Sequence, residues 1–256
     1  MANKGLDYAW HGVIDWSCFQ QSGVTFIMRY FSYDASKDLT ADELANANLH
    51  GISVGVVWET TANRMLQGHA AGSSDAAEAN RRANSLGING IPLYFACDFD
   101  ATESDQTLIN AYMDGVISVI GLARAGMYGG FYPVSRAFNA RKITYGWQTY
   151  AWSGGQWDQR AQLRQVQNDV TVCSINADWD EQHATDFGQW PRPKGPDPMP
   201  PDPAQPAQPV LQSTWKWCRK CQVLFYAPNT SAGGVCAAGG QHDGAQSGEY
   251  LLTVVP

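Results

Sequence analysis

Eight short apolar or β-branched segments recur along the first 190 residues, with stretches of helical character between most of them. In chain order they are residues 5–9, 25–31, 53–59, 91–97, 125–131, 144–150, 163–167 and 176–180. Strands that alternate with crossover helices form parallel sheets. No glycine-rich phosphate loop follows the first segment, which disfavours a doubly wound nucleotide-binding sheet. The pattern therefore predicts an α/β fold, a TIM-like (β/α)8 barrel, with an irregular outer ring because the last connections are short.

Three connectors carry signals for helix boundaries. Thr40 opens a capping box with the glutamate three positions later, which predicts a helix that starts after it. Ser74 starts an alanine-rich stretch that Gly87 ends, and a further helix is predicted over residues 103–120. These helices would cover the outer face of the barrel.

Proline divides the chain. Nine of the 13 prolines lie between Pro191 and Pro209. Proline fixes φ and lacks an N–H, so this stretch is expected to be an extended spacer. The sequence thus predicts a barrel domain over residues 1–190, a proline-rich linker over 191–212, and a small Cys-rich β module over 213–256.

Charge and hydropathy exclude two classes of partner. The chain carries 24 acidic and 17 basic residues, a net charge of −7, which argues against nucleic acid. No run of about 18 apolar residues occurs, so membrane insertion is not expected. The first residues lack the apolar centre of a secretory signal, and no signal peptide is visible.

Carboxylates lie at the ends of several predicted strands, and in a parallel barrel those ends meet at one mouth. Alternation along the fourth strand places Asp98 and Asp100 on one inward face, close enough for their charges to interact. One of them would then hold its proton near neutral pH, as the proton donor of a glycosidase must. A Mg²⁺ or Ca²⁺ site is the competing interpretation, although no EF-hand loop supports it. The candidate catalytic residues are Asp7, Glu59, Asp98, Asp100 and Asp178.

Aromatic and polar side chains near the same strand ends suit a carbohydrate ligand, because sugar rings stack on aromatic faces. Arg29 could position hydroxyl or acetamido groups, although pairing with a nearby carboxylate explains it equally well. The candidate substrate-binding residues are Arg29, Tyr30, Tyr128, Trp147, Gln148 and Gln167.

An ordered series of motifs carries a resemblance to a known family. The motifs are GLDYAW, FIMRYFS, GISVGVVWE, IPLYFACDFD, GMYGGFYPV and YGWQTYAW. Over about residues 4–188 the chain resembles the glycoside-hydrolase-like family known as domain of unknown function 1906. That family is similar to the muramidases of glycoside hydrolase family 25, which have a TIM-like barrel and cut peptidoglycan glycan. The resemblance implies that Asp7 is the first-strand acid, Asp98 the first acid of the strand-four pair, Asp100 the proton donor and Asp178 the last-strand acid.

The sequence thus predicts a peptidoglycan-directed glycosidase of the muramidase or endolysin type, with Asp100 as general acid and no cofactor in the barrel. The muramidases carry an Asp-x-Glu pair, whereas Asp100 is one methylene shorter, which makes Glu59 a second acid candidate. The alternative is a non-catalytic barrel that binds wall glycan. Either protein would have peptidoglycan or another wall polysaccharide as partner. It would act at the cell wall, either extracellularly or after phage holin-type release from the cytoplasm.

The tail carries a spacing that suits a metal ion. Three thiolates and an imidazole can fill a tetrahedral zinc shell, and a module of this size needs such a cross-link. A disulfide between two of the three cysteines, or no cross-link at all, are the alternatives. The candidate ligands are Cys218, Cys221, Cys236 and His242, spaced Cys-x2-Cys-x14-Cys-x5-His.

The other three cysteines belong to no motif. Cys97 is expected to face the helices as a buried, inert thiol, because it alternates with the inward residues of its strand. Cys18 and Cys173 show no pattern that points to a role.

Overall fold

Eight strands close into a barrel in the first part of the chain. The computed structural model describes residues 3–193, 210–226, 235–245, 247 and 250–254. The chain falls into two compact units, Met1–Lys194 and Gly195–Pro256. Residues 194–209, which form most of the predicted linker, lie outside the described residues, so the linker stays a prediction.

The strands of the barrel are hydrogen-bonded in chain order, and the last pairs with the first. They are β1 (Lys4–Asp7), β2 (Val24–Phe31), β3 (Ser53–Trp58), β4 (Leu93–Cys97), β5 (Ala125–Gly129), β6 (Tyr145–Thr149), β7 (Leu163–Val172) and β8 (Ile175–Gln182). Each overlaps one of the eight predicted segments. The predicted α/β barrel is therefore confirmed.

The last strand differs from the expectation of a wholly parallel barrel. β8 runs antiparallel to both β7 and β1. Only Cys173 and Ser174 separate β7 from β8, and both have positive φ, so the two strands form a tight hairpin instead of a crossover. As a result Asp178 pairs with Asp7 at the mouth, and Asp180 lies opposite Gly5, deeper in the barrel.

Five α-helices and three short 3₁₀ helices connect the strands. The α-helices are α1 (Trp16–Gln21), α2 (Ala41–Leu49), α3 (Gly68–Ser85), α4 (Gln106–Ile120) and α5 (Phe131–Asn139), and the 3₁₀ helices are Ala35–Lys37, Arg64–Gln67 and Leu122–Arg124. Thr40 caps α2 as predicted, its hydroxyl oxygen accepting the backbone N–H of Glu43 at 3.1 Å. Within residues 3–193 no helix follows β6, so the outer ring is irregular, as expected.

Helix α3 starts six residues before the predicted boundary at Ser74. The helix packs closely against α4, and this packing needs glycine. A Cβ on Gly72 would lie 1.9 Å from the Tyr112 carbonyl oxygen, and one on Gly115 would lie 2.1 Å from the His69 carbonyl oxygen. Gly72 and Gly115 therefore allow the two helices to approach each other closely.

Two apolar layers hold the first unit together. One lies between the strands and the helices, and Cys97 is buried in it as predicted, where burial raises the pKa of its thiol to about 12. The other fills the barrel with Phe26, Met28, Tyr94, Trp147 and neighbouring side chains. Phe187 belongs to this inner cluster, and its carbonyl oxygen accepts the Tyr94 hydroxyl at 2.7 Å.

A disulfide bond joins Cys18 of α1 to Cys173 at the tip of the β7–β8 hairpin, with 5.9 Å between the Cα atoms. The two cysteines are 155 residues apart, so only the fold brings them together. The bond ties the first helix to the hairpin that carries Asp178. Disulfides persist in oxidising compartments.

The second unit contains a three-stranded antiparallel sheet, with β9 (Val210–Trp217) between β10 (Leu224–Tyr226) and β11 (Tyr250–Val254). It is the small Cys-containing β module expected from the sequence. Among the described residues, no helix has the length and apolar character needed to cross a membrane.

We expect the double substitution Cys18→Ser with Cys173→Ser to lower the free energy of unfolding of the barrel by about 2–5 kcal/mol, because the bond closes a long loop in the unfolded chain. Denaturant titration followed by tryptophan fluorescence measures it. Reductant should lower the free energy of unfolding of the wild type to that of the variant and should leave the variant's value unchanged. Equal stability of the two proteins would contradict the assignment.

Candidate active site

Gln165 joins two carboxylates at the barrel mouth. Its Nε2 donates to Asp7 Oδ2 at 2.8 Å and to Asp178 Oδ2 at 2.9 Å. Its Oε1 accepts the hydroxyl of Tyr128 at 2.8 Å, which fixes the orientation of the amide. Gln165 is buried and follows the inward Leu163 by two positions, so strand alternation aims it into the barrel.

Asp7 is buried at the end of β1, where Tyr30 donates its hydroxyl to Oδ1 at 3.0 Å. Burial, reinforced by the negative charge of Asp178, raises the pKa of Asp7 to about 7, although the Gln165 and Tyr30 hydrogen bonds oppose the shift. A substantial fraction of Asp7 is therefore protonated near neutral pH.

Asp180 lies beneath Asp7 and is fully buried. Trp147 Nε1 donates to its Oδ1 at 2.7 Å, whereas Oδ2 has no donor among the described residues. Burial, and then the charge of Asp7, raise the pKa of Asp180 well above its ordinary value. When protonated, Asp180 can donate to Asp7, so the two carboxyl groups share a proton.

Asp178 is half-buried and lies beside Asp7, its pairing partner across β1 and β8. The backbone N–H of Asp169 donates to its Oδ1 at 2.9 Å, and Gln165 holds its other oxygen. Burial raises the pKa of Asp178, and the Asp169 hydrogen bond opposes the shift. Both oxygens of Asp178 are thus held in place.

Asp98 follows β4 at the same mouth and is half-buried. Burial, and then the negative charge of Glu59, raise the pKa of Asp98 to about 6, while Lys37 opposes the shift. Lys37 Nζ lies 2.9 Å from Glu59 Oε1 and 4.8 Å from the centre of the Trp10 ring. Glu59 therefore forms an ion pair with Lys37. Asp98 is the half-buried acid beside this pair.

A cavity of about 240 Å³ opens at this mouth. Asp7, Tyr30 and Asp178 line its inner side, and Trp10 lines its outer side. Trp10 is 59% exposed, and its Nε1 donates to Ser36 Oγ at 3.0 Å. The cavity thus offers carboxyl groups, a hydroxyl and an exposed aromatic ring to a small polar ligand.

Asp100, the predicted proton donor, is exposed. Strand β4 ends at Cys97, so the alternation that aimed Asp100 inward stops before it. Within residues 3–193, the hydrogen bonds and ion pairs of the structure do not include its carboxyl group. The group that raises the pKa of Asp98 besides burial is mainly Glu59, not Asp100.

Two predicted substrate-binding residues face away from the mouth. Arg29 is fully buried behind β2, where its Nε donates to Glu43 Oε1 at 2.5 Å and its guanidinium stacks on Tyr8. Its neighbours Met28 and Tyr30 point into the barrel, so Arg29 points out toward α2. Gln148 is also fully buried and outward, and it organises the loop after β6.

Tyr30, Tyr128 and Trp147 do lie in the barrel interior. Trp147 is too deep to stack on a ligand, because it is 1% exposed and holds Asp180. Gln167 is exposed, since bulges in the β7–β8 ladder interrupt alternation after Gln165. Gln165 was not among the predicted site residues, although its spacing from the apolar Leu163 is a signal that points it inward.

The four predicted metal ligands of the second unit form a cluster. The ligand atoms of Cys218, Cys221, Cys236 and His242 all lie within 4.8 Å of one another, and the cluster can bind a metal ion. It is the one such group of His, Cys, Asp or Glu side chains in the described parts of the chain. Among the described residues, the mouth carboxylates do not form a comparable group.

The sequence of residues 17–184 matches the model of the Rv2525c-like, glycoside hydrolase-like domain. The chain belongs to this family. The match confirms the resemblance that the ordered motifs carry. No curated protein matches the sequence significantly.

Solved structures of the same fold agree with this family. The Tat-secreted protein Rv2525c of Mycobacterium tuberculosis, solved with L-tartrate, is 25% identical with a TM-score of 0.70, and the match covers 74% of this chain and 100% of that one. An uncharacterised protein of B. stearothermophilus is 21% identical with a TM-score of 0.54, covering 70% and 95%. A muramidase from Trichobolus zukalii is 14% identical with a TM-score of 0.50, covering 72% and 94%, and shares the fold.

The shared proton predicts how stability depends on pH. An acid whose pKa is higher in the folded than in the unfolded state binds more protons when folded, so the free energy of unfolding falls as pH rises between the two values. For Asp7 this window runs from 3.8 to about 7. We expect stability to fall by up to about 1.4 kcal/mol per pH unit within it.

Asp180→Asn should flatten this dependence, because an amide can donate to Asp7 and accept from Trp147 without a charge. Urea titration at several pH values measures the slope, with the exposed Asp42→Asn as the matched control. Stability that rises with pH in this window, or a variant with the wild-type slope, would contradict proton sharing.

Proposed function

We propose that the barrel is a glycoside hydrolase that cleaves the glycan of peptidoglycan. The observation that carries the proposal is the pair of carboxyl groups with raised pKa values at one mouth, about 7 for Asp7 and about 6 for Asp98. Glycoside cleavage needs a carboxyl group that keeps its proton beside one that is ionised. Membership in a glycoside hydrolase-like family and the fold shared with a muramidase support the choice of substrate.

Asp98 is the candidate proton donor. It is half-buried, so a ligand can reach it, and its pKa of about 6 keeps part of the population protonated near neutral pH. Asp100 remains the donor that the muramidase resemblance implies, but its side chain is exposed and lies beyond the end of β4. We therefore assign the first acid of the pair to proton transfer.

Asp178, when ionised, would act on positive charge at the anomeric carbon, and Asp7, whose pKa of about 7 exceeds that of Asp98, would orient the ligand. Tyr30 and Gln165 hold the oxygens of Asp7, which suits a group that stabilises or orients better than one that must move a proton to a leaving oxygen. Asp178 lines the same cavity. Gln165 keeps the two carboxyl groups at a set separation.

A barrel that binds wall glycan without cutting it is the second candidate. Two observations favour it: Asp100 is exposed, and Glu59, the other candidate acid, forms an ion pair with Lys37. In that case the carboxyl groups of the mouth would accept hydrogen bonds from sugar hydroxyl groups.

We propose that the chain acts at the cell wall. The Cys18–Cys173 disulfide suits an oxidising compartment, and the related Rv2525c is described as Tat-secreted. Export of the chain and its holin-type release from the cytoplasm would both deliver it to the cell wall. The division into a barrel over 1–190, a linker over 191–212 and a module over 213–256 would let the module hold the wall and raise the local substrate concentration.

We expect Asp98→Asn to reduce the release of new reducing ends from purified actinobacterial peptidoglycan by about 100-fold or more, because the amide cannot give a proton. Activity of the wild type should fall above about pH 6, as Asp98 ionises. Asp100→Asn should lose much less, and Asp42→Asn is the control at an exposed acid.

Abolished activity in Asp100→Asn with Asp98→Asn still active would reverse the assignment of the donor. Binding of wild type to peptidoglycan without new reducing ends or smaller muropeptides, across about pH 4–8, would favour the non-catalytic candidate.

We also propose that the Cys–His cluster holds structural zinc. Cys218 Sγ and Cys236 Sγ are 3.8 Å apart, and Cys221 Sγ lies 3.4 Å from His242 Nδ1. Ligands about 2.3 Å (sulfur) and about 2.0 Å (nitrogen) from a tetrahedral zinc are separated by about 3.8 and about 3.5 Å. The same sulfur separation is far longer than a disulfide bond of about 2.05 Å.

The surroundings of the cluster fit a structural ion. The backbone N–H of Asp243 donates to Cys218 Sγ at 3.3 Å, and the Phe225 ring stacks on His242 with 4.7 Å between ring centres. Cys218 and Cys236 are buried. Four protein ligands would complete the shell, which leaves no open position for catalysis.

We expect one zinc per chain in freshly purified, full-length protein by elemental analysis, and much less than one in Cys236→Ser. Cobalt substitution should give the visible absorption of a tetrahedral thiolate site. Cys97→Ala removes a buried thiol outside the cluster and should leave the zinc content unchanged. Wild-type protein with far less than one zinc would sink the proposal.

A further inference from the structure

A second group of exposed aromatic side chains lies on the barrel mouth, away from the cavity beside Asp7. Tyr132 follows β5 and is 40% exposed, and Trp152 follows β6 and is 41% exposed. We name these two residues the aromatic rim. The acid chemistry described above does not use them.

Buried polar groups hold the aromatic rim in place. Ser153, 1% exposed, accepts the backbone N–H of Phe131 at 2.9 Å and donates to the Thr149 carbonyl oxygen at 2.6 Å. Gln148 Nε2 donates to the Gln156 carbonyl oxygen at 2.7 Å. Two buried side chains thus fix a surface loop, which is the arrangement expected where the loop must present a side chain.

The first residues of the same loop pack against the N-terminal end of α5. Gln156 Nε2 donates to the hydroxyl of Tyr132 at 2.9 Å, which links the two aromatic residues through one loop. A Cβ on Gly130 would lie 3.2 Å from the Ala151 carbonyl oxygen and 3.5 Å from Trp152 Cβ, so the segments are in close contact.

Trp152 has a φ of 54°, in the left-handed region that disfavours residues with a Cβ. The other non-glycine residues with positive φ in the described parts of the chain are not aromatic, namely Arg141, Asp169, Cys173, Ser174 and Gln222. Trp152 is also 41% exposed, so part of its ring is accessible to a ligand. A strained, exposed tryptophan beside a site points to a ligand.

Topology sets the aromatic rim opposite Trp10. Trp10 follows β1 and Tyr132 follows β5, and these strands are half a turn apart in the closed ring of eight. A polymer that contacts both must cross the mouth, where Asp7, Asp98 and Asp178 lie. Pyranose rings stack on such aromatic faces.

We propose that the aromatic rim is a second sugar-binding platform, and that with Trp10 it holds an extended glycan strand across the carboxyl groups. The inference deepens the proposed function and rests on it for the choice of ligand. It assigns the substrate as the interior of a polysaccharide chain, because a single terminal sugar cannot reach both sides of the mouth.

The test measures binding of the full chain to soluble, peptide-free peptidoglycan strands, together with the melting temperature. Trp152→Gly removes the ring and relieves the strained φ, so we expect at least tenfold weaker binding with an unchanged or higher melting temperature. Trp152→Tyr keeps a ring and should bind within about threefold of wild type. Leu49→Ala, at an exposed apolar residue at the C-terminal end of α2, is the control.

If Trp152→Gly binds the strands as tightly as wild type, the platform is wrong. A clear fall in the melting temperature of this variant would also overturn the proposal, because it would mark a structural role for Trp152. Absence of any strand binding by wild type would also overturn it. Strand binding that depends on Trp152 but gives no new reducing ends would support the platform and contradict the hydrolase, so the two proposals fail separately.

Discussion

The burial of two carboxyl groups at the centre of the barrel is the constraint on which the mouth depends. Asp7 and Asp180 lie where an ionised pair would be very costly, and sharing a proton is the arrangement that lowers this cost. Side chains of the inner wall donate hydrogen bonds to these acids, namely Trp147 to Asp180, and Tyr30 and Gln165 to Asp7. The polar side chains of the inner wall are thus arranged around the proton that Asp7 and Asp180 share.

The direction of β8 makes this arrangement possible. An antiparallel last strand sets Asp178 beside Asp7 and Asp180 below it, which gives one strand two acids at different depths. The disulfide at the tip of the hairpin holds this strand to α1. The aromatic side chains around the rim then decide what can approach, so acid chemistry and ligand binding are carried by separate elements of one mouth.

Strand positions, the cap at Thr40 and the buried state of Cys97 could be predicted because each follows from local pattern. The direction of β8, the outward turn of Arg29 and the Cys18–Cys173 bond depend on tertiary contacts, which local pattern does not carry. Gln165 and Gln167 show the limit of local pattern: alternation from Leu163 would point both inward, but the ladder is irregular between them, and Gln167 is exposed. The Cys–His spacing was readable because its ligands lie in two short segments.

The most direct test of the account is a ¹³C NMR titration of the aspartate side-chain carboxyl carbons, with Asp7→Asn and Asp98→Asn used for assignment. The account predicts one carboxyl group that titrates near pH 7 and one near pH 6, belonging to Asp7 and Asp98. Titration of all the barrel aspartates below about pH 5 would contradict it, because no mouth carboxyl group would then hold a proton under neutral conditions.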